Sequence, residues 1–199
     1  MIGDKMIYDD AVNEIMENVA KITQSVRPEE VTGITKVIEE VDNIFITGLG
    51  RSGLVAKAFG MRLMHLGLSV YIVGETITPA IKENDCLIAI SGSGETSYII
   101  GTTTIAQNVG TKIVAITSYP ESTLGKKADL VVELKGRTKI DPEPSYIRRQ
   151  ISGQHQTLSP MGTIFEISAL IFLDSIIAQM MDDLGQTEND LKARHTILE

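Results

Sequence analysis

The sequence has few cysteine and basic residues and no tryptophan, and the first two shortages limit what the protein can be. A single cysteine, Cys86, excludes an internal disulfide and is typical of a protein kept in a reducing cytosol. Because Cys86 opens an apolar run, we expect a small buried side chain rather than a nucleophile. Lys and Arg total 18 against 26 Asp and Glu, a net charge of −8, which argues against nucleic acid as a partner.

Long apolar runs are also lacking. No uninterrupted run approaches the ~20 residues that span a bilayer. The N-terminal stretch MIGDKMIYDD is acidic and lacks the apolar core of a signal peptide. We therefore expect a cytoplasmic protein that makes no membrane contact. A length of 199 residues suits one domain with an ample core.

Short β-branched runs alternate with helix-length segments in the middle of the chain. Candidate strands are residues 43–48, 69–74, 86–91, 112–117 and 129–134. Between several of them lie segments of helical length, at 52–66, 95–108 and, shorter, 121–127. This alternation predicts a doubly wound α/β fold, a five-stranded parallel sheet covered by helices.

Helical patterns flank this sheet. Residues 4–25 have an amphipathic period, and Pro28 begins a second helix. Residues 161–184 form a helix apolar on more than one face, which predicts burial in the core or against another subunit. The motif TEND (187–190) caps a last short helix.

We interpret the chain as a single domain in four parts. They are N-terminal helices (1–40), a parallel sheet core (41–134), a polar connection (135–160) and C-terminal helices (161–199). The connection contains three prolines, and connections of this length are often functional.

A glycine-rich loop, GLGRSG (48–53), follows the first candidate strand and opens a helix. It matches the dinucleotide fingerprint, and Glu75 lies about twenty residues further on, where a ribose-binding acid belongs. A nicotinamide-dependent oxidoreductase is therefore one possible interpretation. A tight strand-to-helix turn without a ligand is another.

A second loop, SGSGET (91–96), follows the third strand. Gly92 and Gly94 would let backbone N–H groups approach an anion closely. Ser91, Ser93 and Thr96 offer hydroxyl donors, and the next helix directs its positive end at the same place. The lysine of a nucleoside-triphosphate loop is absent, so the loop predicts a monophosphate ligand.

Both loops would serve one site if the strand order is 2-1-3-4-5. In that flavodoxin-like order the first and third strands are neighbours, and the crevice opens between their carboxyl ends. Gly50, Arg51 and Ser52 would then reach the sugar phosphate from the opposite wall.

Taken together, six motifs resemble the sugar isomerase (SIS) domain and, within it, the 6-phospho-3-hexuloisomerases. They are GRSGLVAKAFGMRLMHLG (50–67), VGETITPAI (73–81), AISGSGETS (89–97), ITSYPESTLGKKAD (116–129), PMGTIFEISALIFLD (160–174) and RHTILE (194–199). The resemblance implies interconversion of D-arabino-3-hexulose 6-phosphate and D-fructose 6-phosphate, in the ribulose monophosphate pathway. It also implies a cytoplasmic enzyme, commonly a homotetramer, with a sugar phosphate as its ligand and no metal or other cofactor.

The resemblance implies that Glu166 is the catalytic base. One carboxylate above the C2–C3 bond could carry a proton between these carbons through an enediolate. From the residues alone, Glu166 could equally lie on the polar strip of a buried helix and pair with a cation. Glu95 is included with the substrate-binding loop, although a place in the first turn of the next helix suits it better.

His65 and His195 complete the catalytic candidates. His65, near a helix end, could assist ring opening or could be a core imidazole or a partner of the helix terminus. His195 lies near the chain end, a usual place for disorder, but a polar tail could reach a neighbouring subunit's pocket. The alternatives left open are a sugar-phosphate sensor, an arabinose-5-phosphate isomerase and the dinucleotide oxidoreductase.

Overall fold

The structure is a computed structural model that describes residues 7–136 and 158–195. The helices are α1 Ile7–Gln24, α2 Pro28–Glu40, α3 Arg51–His65, α4 Ser97–Val109, α5 Thr123–Lys127, α6 Thr163–Asp183 and α7 Glu188–Ala193. The strands are β1 Ile44–Gly48, β2 Val70–Ile72, β3 Cys86–Ile90, β4 Lys112–Thr117 and β5 Leu130–Glu133. Every predicted strand is present, although β2 is only three residues long. Most of the predicted 135–160 connection lies outside the described residues.

The five strands form one parallel sheet in the order β2-β1-β3-β4-β5, which confirms the predicted fold class. From β1 the chain passes through α3 to the edge strand β2. From β3 it passes through α4 in the opposite direction, to β4. The order therefore reverses between β1 and β3, and a crevice opens at their carboxyl ends.

The core lies on both faces of the sheet. All five residues of β3 are buried, as the continuous apolar run predicts. Cys86, its first residue, is fully buried, and burial together with Asp85 raises the pKa of its thiol to about 12. The prediction of a buried core cysteine is confirmed.

The helix ends follow the expected chemistry. Pro28 is the first residue of α2, and Glu30 accepts a hydrogen bond from the Arg27 backbone N–H at 2.8 Å. The motif TEND caps α7 as predicted, and the structure shows Thr187 and Asp190 in a capping box. These local signals mark the starts of α2 and α7 in the sequence.

Helix α6 is, by length and composition alone, sufficient to cross a membrane. Half of its most apolar stretch is buried inside the protein, however, where it packs against α1 and α3. Glu166 and Asp174 interrupt the run in the sequence, and for that reason no uninterrupted stretch of this length is seen there. The predicted burial of this helix is confirmed for its inner face, whereas Ile171 remains exposed on its outer face.

Candidate active site

A cavity of about 450 Å³ opens at the carboxyl ends of β1 and β3. Its walls come from three segments: the loop after β1, the loop after β3, and the start of α6. The prediction that both glycine-rich loops line one crevice is confirmed. The start of α6 is expected at this site only from the family resemblance, which implies Glu166 as the base.

The loop after β1 needs its glycines for backbone geometry. Gly50 has a positive φ of 61°, which favours glycine. A Cβ on Gly48 would lie 2.6 Å from the carbonyl oxygen of Ser52, so the strand and the helix approach too closely for a side chain. The tight turn thus accounts for the fingerprint spacing by itself, and it places Arg51 and Ser52 in the cavity wall.

The acid that the dinucleotide interpretation requires is engaged elsewhere. Glu75 forms an ion pair with Lys57 of α3, with 2.6 Å between Oε1 and Nζ. Neither residue lines the cavity. A ribose hydroxyl would have to compete with this ammonium group for the carboxylate.

The loop after β3 presents hydroxyl and amide groups to the cavity. The Ser91 hydroxyl accepts a hydrogen bond from the Gly94 N–H at 3.2 Å, and its oxygen lies 3.3 Å from that of Thr96. The N–H groups of Gly92 and Ser93 bond to no residue within 7–136 or 158–195. Donors of this kind suit a phosphate, as the sequence predicts.

Two residues of this loop face away from the cavity. A Cβ on Gly94, which has a φ of 64°, would overlap the Ser122 Oγ. Its lack of a side chain therefore permits contact with the residue before α5 rather than with a ligand. Glu95 also turns toward α5, and its carboxylate accepts hydrogen bonds from the backbone N–H of Thr123 at 2.7 Å and from its hydroxyl at 2.8 Å.

The prediction that Glu95 lies in the first turn of the following helix is wrong. Helix α4 begins two residues later, at Ser97, and Glu95 instead bonds to the first residue of α5. The hydrogen bonds from the backbone and then the hydroxyl of Thr123 lower the pKa of Glu95. A carboxylate oriented in this way avoids repulsion from an anion in the cavity.

The third wall carries Glu166. The Arg51 Nε donates to Glu166 Oε2 at 2.5 Å, across the cavity, and the two side chains are 57% and 15% exposed. Gly162, the residue before α6, has a φ of 88°, and a Cβ there would lie 2.8 Å from Glu166 Oε1. Glu166 thus pairs with a cation, one of the two alternatives open from the sequence. That cation is itself part of the cavity wall.

Three helices begin at this cavity. Arg51 is the first residue of α3, and Thr96 and Gly162 immediately precede α4 and α6. The unpaired N–H groups of helix starts give each of them a positive potential. An anion is therefore attracted here in spite of the net charge of −8. Residue patterns alone predict the α6 helix but not that it begins at the cavity; only the resemblance placed Glu166 there, and a glycine directly before the helix is the available local signal.

The two histidines lie at the other end of α3. His65 is the last residue of that helix, 3% exposed, and its ring stacks on that of His195 with 5.1 Å between centroids. Burial, then His195 and Arg62, lower the pKa of His65. Fourteen helical steps separate His65 from Arg51, about 21 Å. The structure therefore brings Glu166 and both loops together but leaves His65 and His195 outside this cavity.

Comparison with known proteins identifies close relatives. The SIS domain model matches residues 37–147. A Bacillus subtilis (strain 168) protein named 3-hexulose-6-phosphate isomerase is 37% identical over 188 residues, covering 94% of this chain and 97% of the relative. A 2.0 Å crystal structure from Methanococcus jannaschii, described as inferring a molecular function of 3-hexulose-6-phosphate isomerase, is 35% identical. It covers 96% of this chain and 98% of its own, with a TM-score of 0.75.

A more distant structure shares the fold alone. It is a ligand complex of a protein from E. coli CFT073, 21% identical, with a TM-score of 0.71. The alignment covers 95% of this chain and 97% of that one.

Proposed function

The chain belongs to the SIS-domain family, among the 3-hexulose-6-phosphate isomerases, and we propose that it interconverts D-arabino-3-hexulose 6-phosphate and D-fructose 6-phosphate. The observation that carries this proposal is the shared cavity. A hydroxyl-rich loop suited to one phosphate and a carboxylate suited to proton transfer line the same 450 Å³ space. That volume falls within the usual range for small-molecule sites.

Glu166 is the proposed base. In the forward direction it removes the proton from C2 of the 3-ketose. The electrons of that C–H bond form a C2–C3 double bond, and those of the C3 carbonyl π bond move onto the C3 oxygen, which gives an enediolate. Glu166 then returns the proton to C3. A carbonyl forms at C2 as the proton of the C2 hydroxyl passes to the C3 oxygen, so the product is the 2-ketose with no net change of atoms.

The remaining cavity residues hold the phosphate in this proposal. The contacts would come from the hydroxyls of Ser91, Ser93 and Thr96, the amide of Gly92 and the side chains of Arg51 and Ser52. The starts of α3 and α4 add positive potential. Gly50, Gly94 and Glu95 support these groups by shaping the two loops.

The histidines enter the proposal as a pair supplied to a neighbouring subunit. His195 is exposed and lies far from the cavity of the same chain. His65 is buried beneath the His195 ring. We therefore assign ring opening in the neighbour's cavity to His195, and to His65 the positioning of that imidazole. This arrangement requires the homotetramer, or at least an oligomer, that the family resemblance implies.

The same resemblance supports a cytoplasmic enzyme of the ribulose monophosphate pathway. No cofactor is needed, because the reaction only moves protons between C2, C3 and their oxygens and leaves the overall oxidation level of the sugar unchanged. Within the described residues, no group of three or more His, Cys, Asp or Glu side chains is placed to hold a metal ion.

A coupled assay tests the function. The protein is given 3-hexulose 6-phosphate, and fructose 6-phosphate is followed through glucose-6-phosphate isomerase and an NADP-linked dehydrogenase. We expect rapid NADPH formation that depends on the protein. Arabinose 5-phosphate, offered separately with ribulose 5-phosphate as the measured product, is expected to react far more slowly. The reverse preference would assign the protein to the pentose-phosphate substrate instead.

A further inference from the structure

We propose that Arg51 positions the catalytic base relative to the substrate's phosphate by binding both at once. The proposal rests on the proposed function, because it concerns how Glu166 and the phosphate loop act on one substrate. Arg51 would hold Glu166 through Nε and the phosphate through its terminal nitrogens. Its role would then be to set the distance between the anion at C6 and the base at C2 and C3.

The contact with Glu166 uses only one edge of the Arg51 guanidinium group. Arg51 bonds to Glu166 through Nε alone, at 2.5 Å. Within the described parts of the chain, its two terminal nitrogens bond to no residue. A guanidinium group carries five N–H donors in a rigid plane, so one edge can hold a carboxylate while another holds a phosphate.

The described cavity wall carries one charge of each sign. Among the described residues that line it, Arg51 is the only cation and Glu166 the only anion. The phosphate loop contains no Lys or Arg. A bound phosphate would bring two further negative charges close to Glu166, and the guanidinium is the group available between them to offset their repulsion.

Arg51 occupies a position in its helix that does not favour a cation. It is the first residue of α3, whose first turn contains no acidic residue. A cation at a helix start opposes the helix dipole. The preference for an acidic or neutral residue at a helix start is therefore not met at Arg51, as happens at functional sites. The carboxylate of Glu166, 115 residues further on, offsets the unfavourable charge.

Glu166 is confined on its other side as well, by Gly162. Gly162 has no side chain, and this leaves space for Oε1 of Glu166. The carboxylate therefore lies between the Gly162 backbone and the Arg51 guanidinium group. A base confined in this way keeps one orientation only while both supports remain. Loss of Arg51 should therefore affect catalysis as well as binding.

The test compares Arg51→Met, Arg51→Lys and the control Lys57→Met. The control removes a different cation of α3, one that pairs with Glu75 outside the cavity. Each variant is first checked for a native circular dichroism spectrum and thermal transition. The values of kcat and KM for 3-hexulose 6-phosphate are then measured, together with the affinity for fructose 6-phosphate by calorimetry.

We expect Arg51→Met to lose about tenfold or more in both affinity and kcat, since charge-assisted hydrogen bonds have at least this effect. Arg51→Lys should recover most of the affinity, because it keeps the positive charge. It should recover little of kcat, because an ammonium group cannot bind a carboxylate and a phosphate through two edges of one rigid plane. Lys57→Met should stay within about twofold of wild type in both quantities.

Two results would overturn the proposal. A loss of affinity with wild-type kcat would make Arg51 a phosphate ligand only, and a loss of kcat with unchanged affinity would make it a partner of Glu166 only. A wild-type protein that is silent in the coupled assay would instead overturn the proposed function itself. The two failures are therefore distinguished by the wild-type measurement.

Discussion

Glu95 and Thr123 lie 28 residues apart, and the carboxylate of Glu95 receives both the backbone N–H and the hydroxyl of Thr123. This contact joins the end of the phosphate loop to the start of α5. The loop is held there at two further points, since Gly94 O accepts from the Leu124 N–H at 3.0 Å and Gly92 O accepts from the Ser118 N–H at 3.1 Å. These contacts hold the phosphate loop in its shape without a bound ligand.

The first prediction concerns this contact. Glu95→Gln should raise KM for the sugar phosphate about threefold to tenfold with a smaller effect on kcat, because binding must then order the loop. Thr123→Val removes the same hydroxyl contact from the other side, so the effects of the two substitutions should not add in the double variant. Additive effects would show that Glu95 acts on binding by a route other than its contact with Thr123.

The second prediction concerns Glu166. Glu166→Gln keeps the shape of the side chain but cannot accept a proton, so turnover should fall by about 10²-fold to 10⁴-fold. Binding of fructose 6-phosphate, measured by calorimetry, should persist. Asp174→Asn makes the same chemical change on the exposed side of α6 and should isomerise normally. Normal isomerisation by the Gln variant would exclude Glu166 as the base.

The third prediction concerns Gly162. An alanine there meets an unfavourable positive φ and also places its Cβ 2.8 Å from Glu166 Oε1. We expect a loss of about 1–2 kcal/mol of stability together with at least a tenfold loss in kcat. Gly185→Ala is the control at the other end of α6, where φ is 61° and no atom lies within 4 Å. It should lose stability but retain kcat, as judged by thermal melts and steady-state rates.

The fourth prediction concerns acid stability through Glu30, which links α2 to the edge strand β5. Its carboxylate accepts from the Glu133 backbone N–H at 3.0 Å and from the Arg27 side chain at 3.2 Å. Burial alone would raise the pKa of Glu30, but hydrogen bonds from the Arg27 side chain and the Glu133 and Arg27 backbones outweigh it, and the pKa is lowered.

Because the folded state lowers this pKa, Glu30 stabilises the fold above the ordinary pKa of a glutamate, and the contribution disappears as the pH falls through the folded value. Glu30→Gln should therefore cost about 1–3 kcal/mol in the free energy of unfolding at pH 7. Urea titrations at pH 7 and near pH 3 should show the difference between variant and wild type shrinking in acid. A difference that is the same at both values would contradict an ionised Glu30.

The fifth prediction concerns Cys86. Its side chain is fully buried and the pKa of its thiol is raised to about 12, so the reactive thiolate is scarce at neutral pH. A thiol reagent such as DTNB should label the native protein only as fast as it unfolds, and label it fully in denaturant. Fast labelling of the native protein would show that the start of β3 opens locally.

Much of this fold was predictable because its signals are local. Each strand is a short β-branched run, and helix starts follow Pro28 and the Thr187 capping box. The loop chemistry of residues 91–96 likewise follows from glycine and hydroxyl side chains next to a strand end. The assignment of Glu166 required the family resemblance, since a carboxylate within an apolar helix could equally have been a structural ion pair.

The sequence by itself determined the strands, the helix caps and the two glycine-rich loops, because these depend on neighbours within a few residues. Only the tertiary structure decided that α6 returns to the cavity, that Arg51 meets Glu166 and that Glu95 bonds to α5. It also separated His65 from the site by the length of a helix. Such pairings depend on how the sheet and its helices pack in three dimensions. Periodicity and spacing along the chain do not indicate which side chain a charged group will contact.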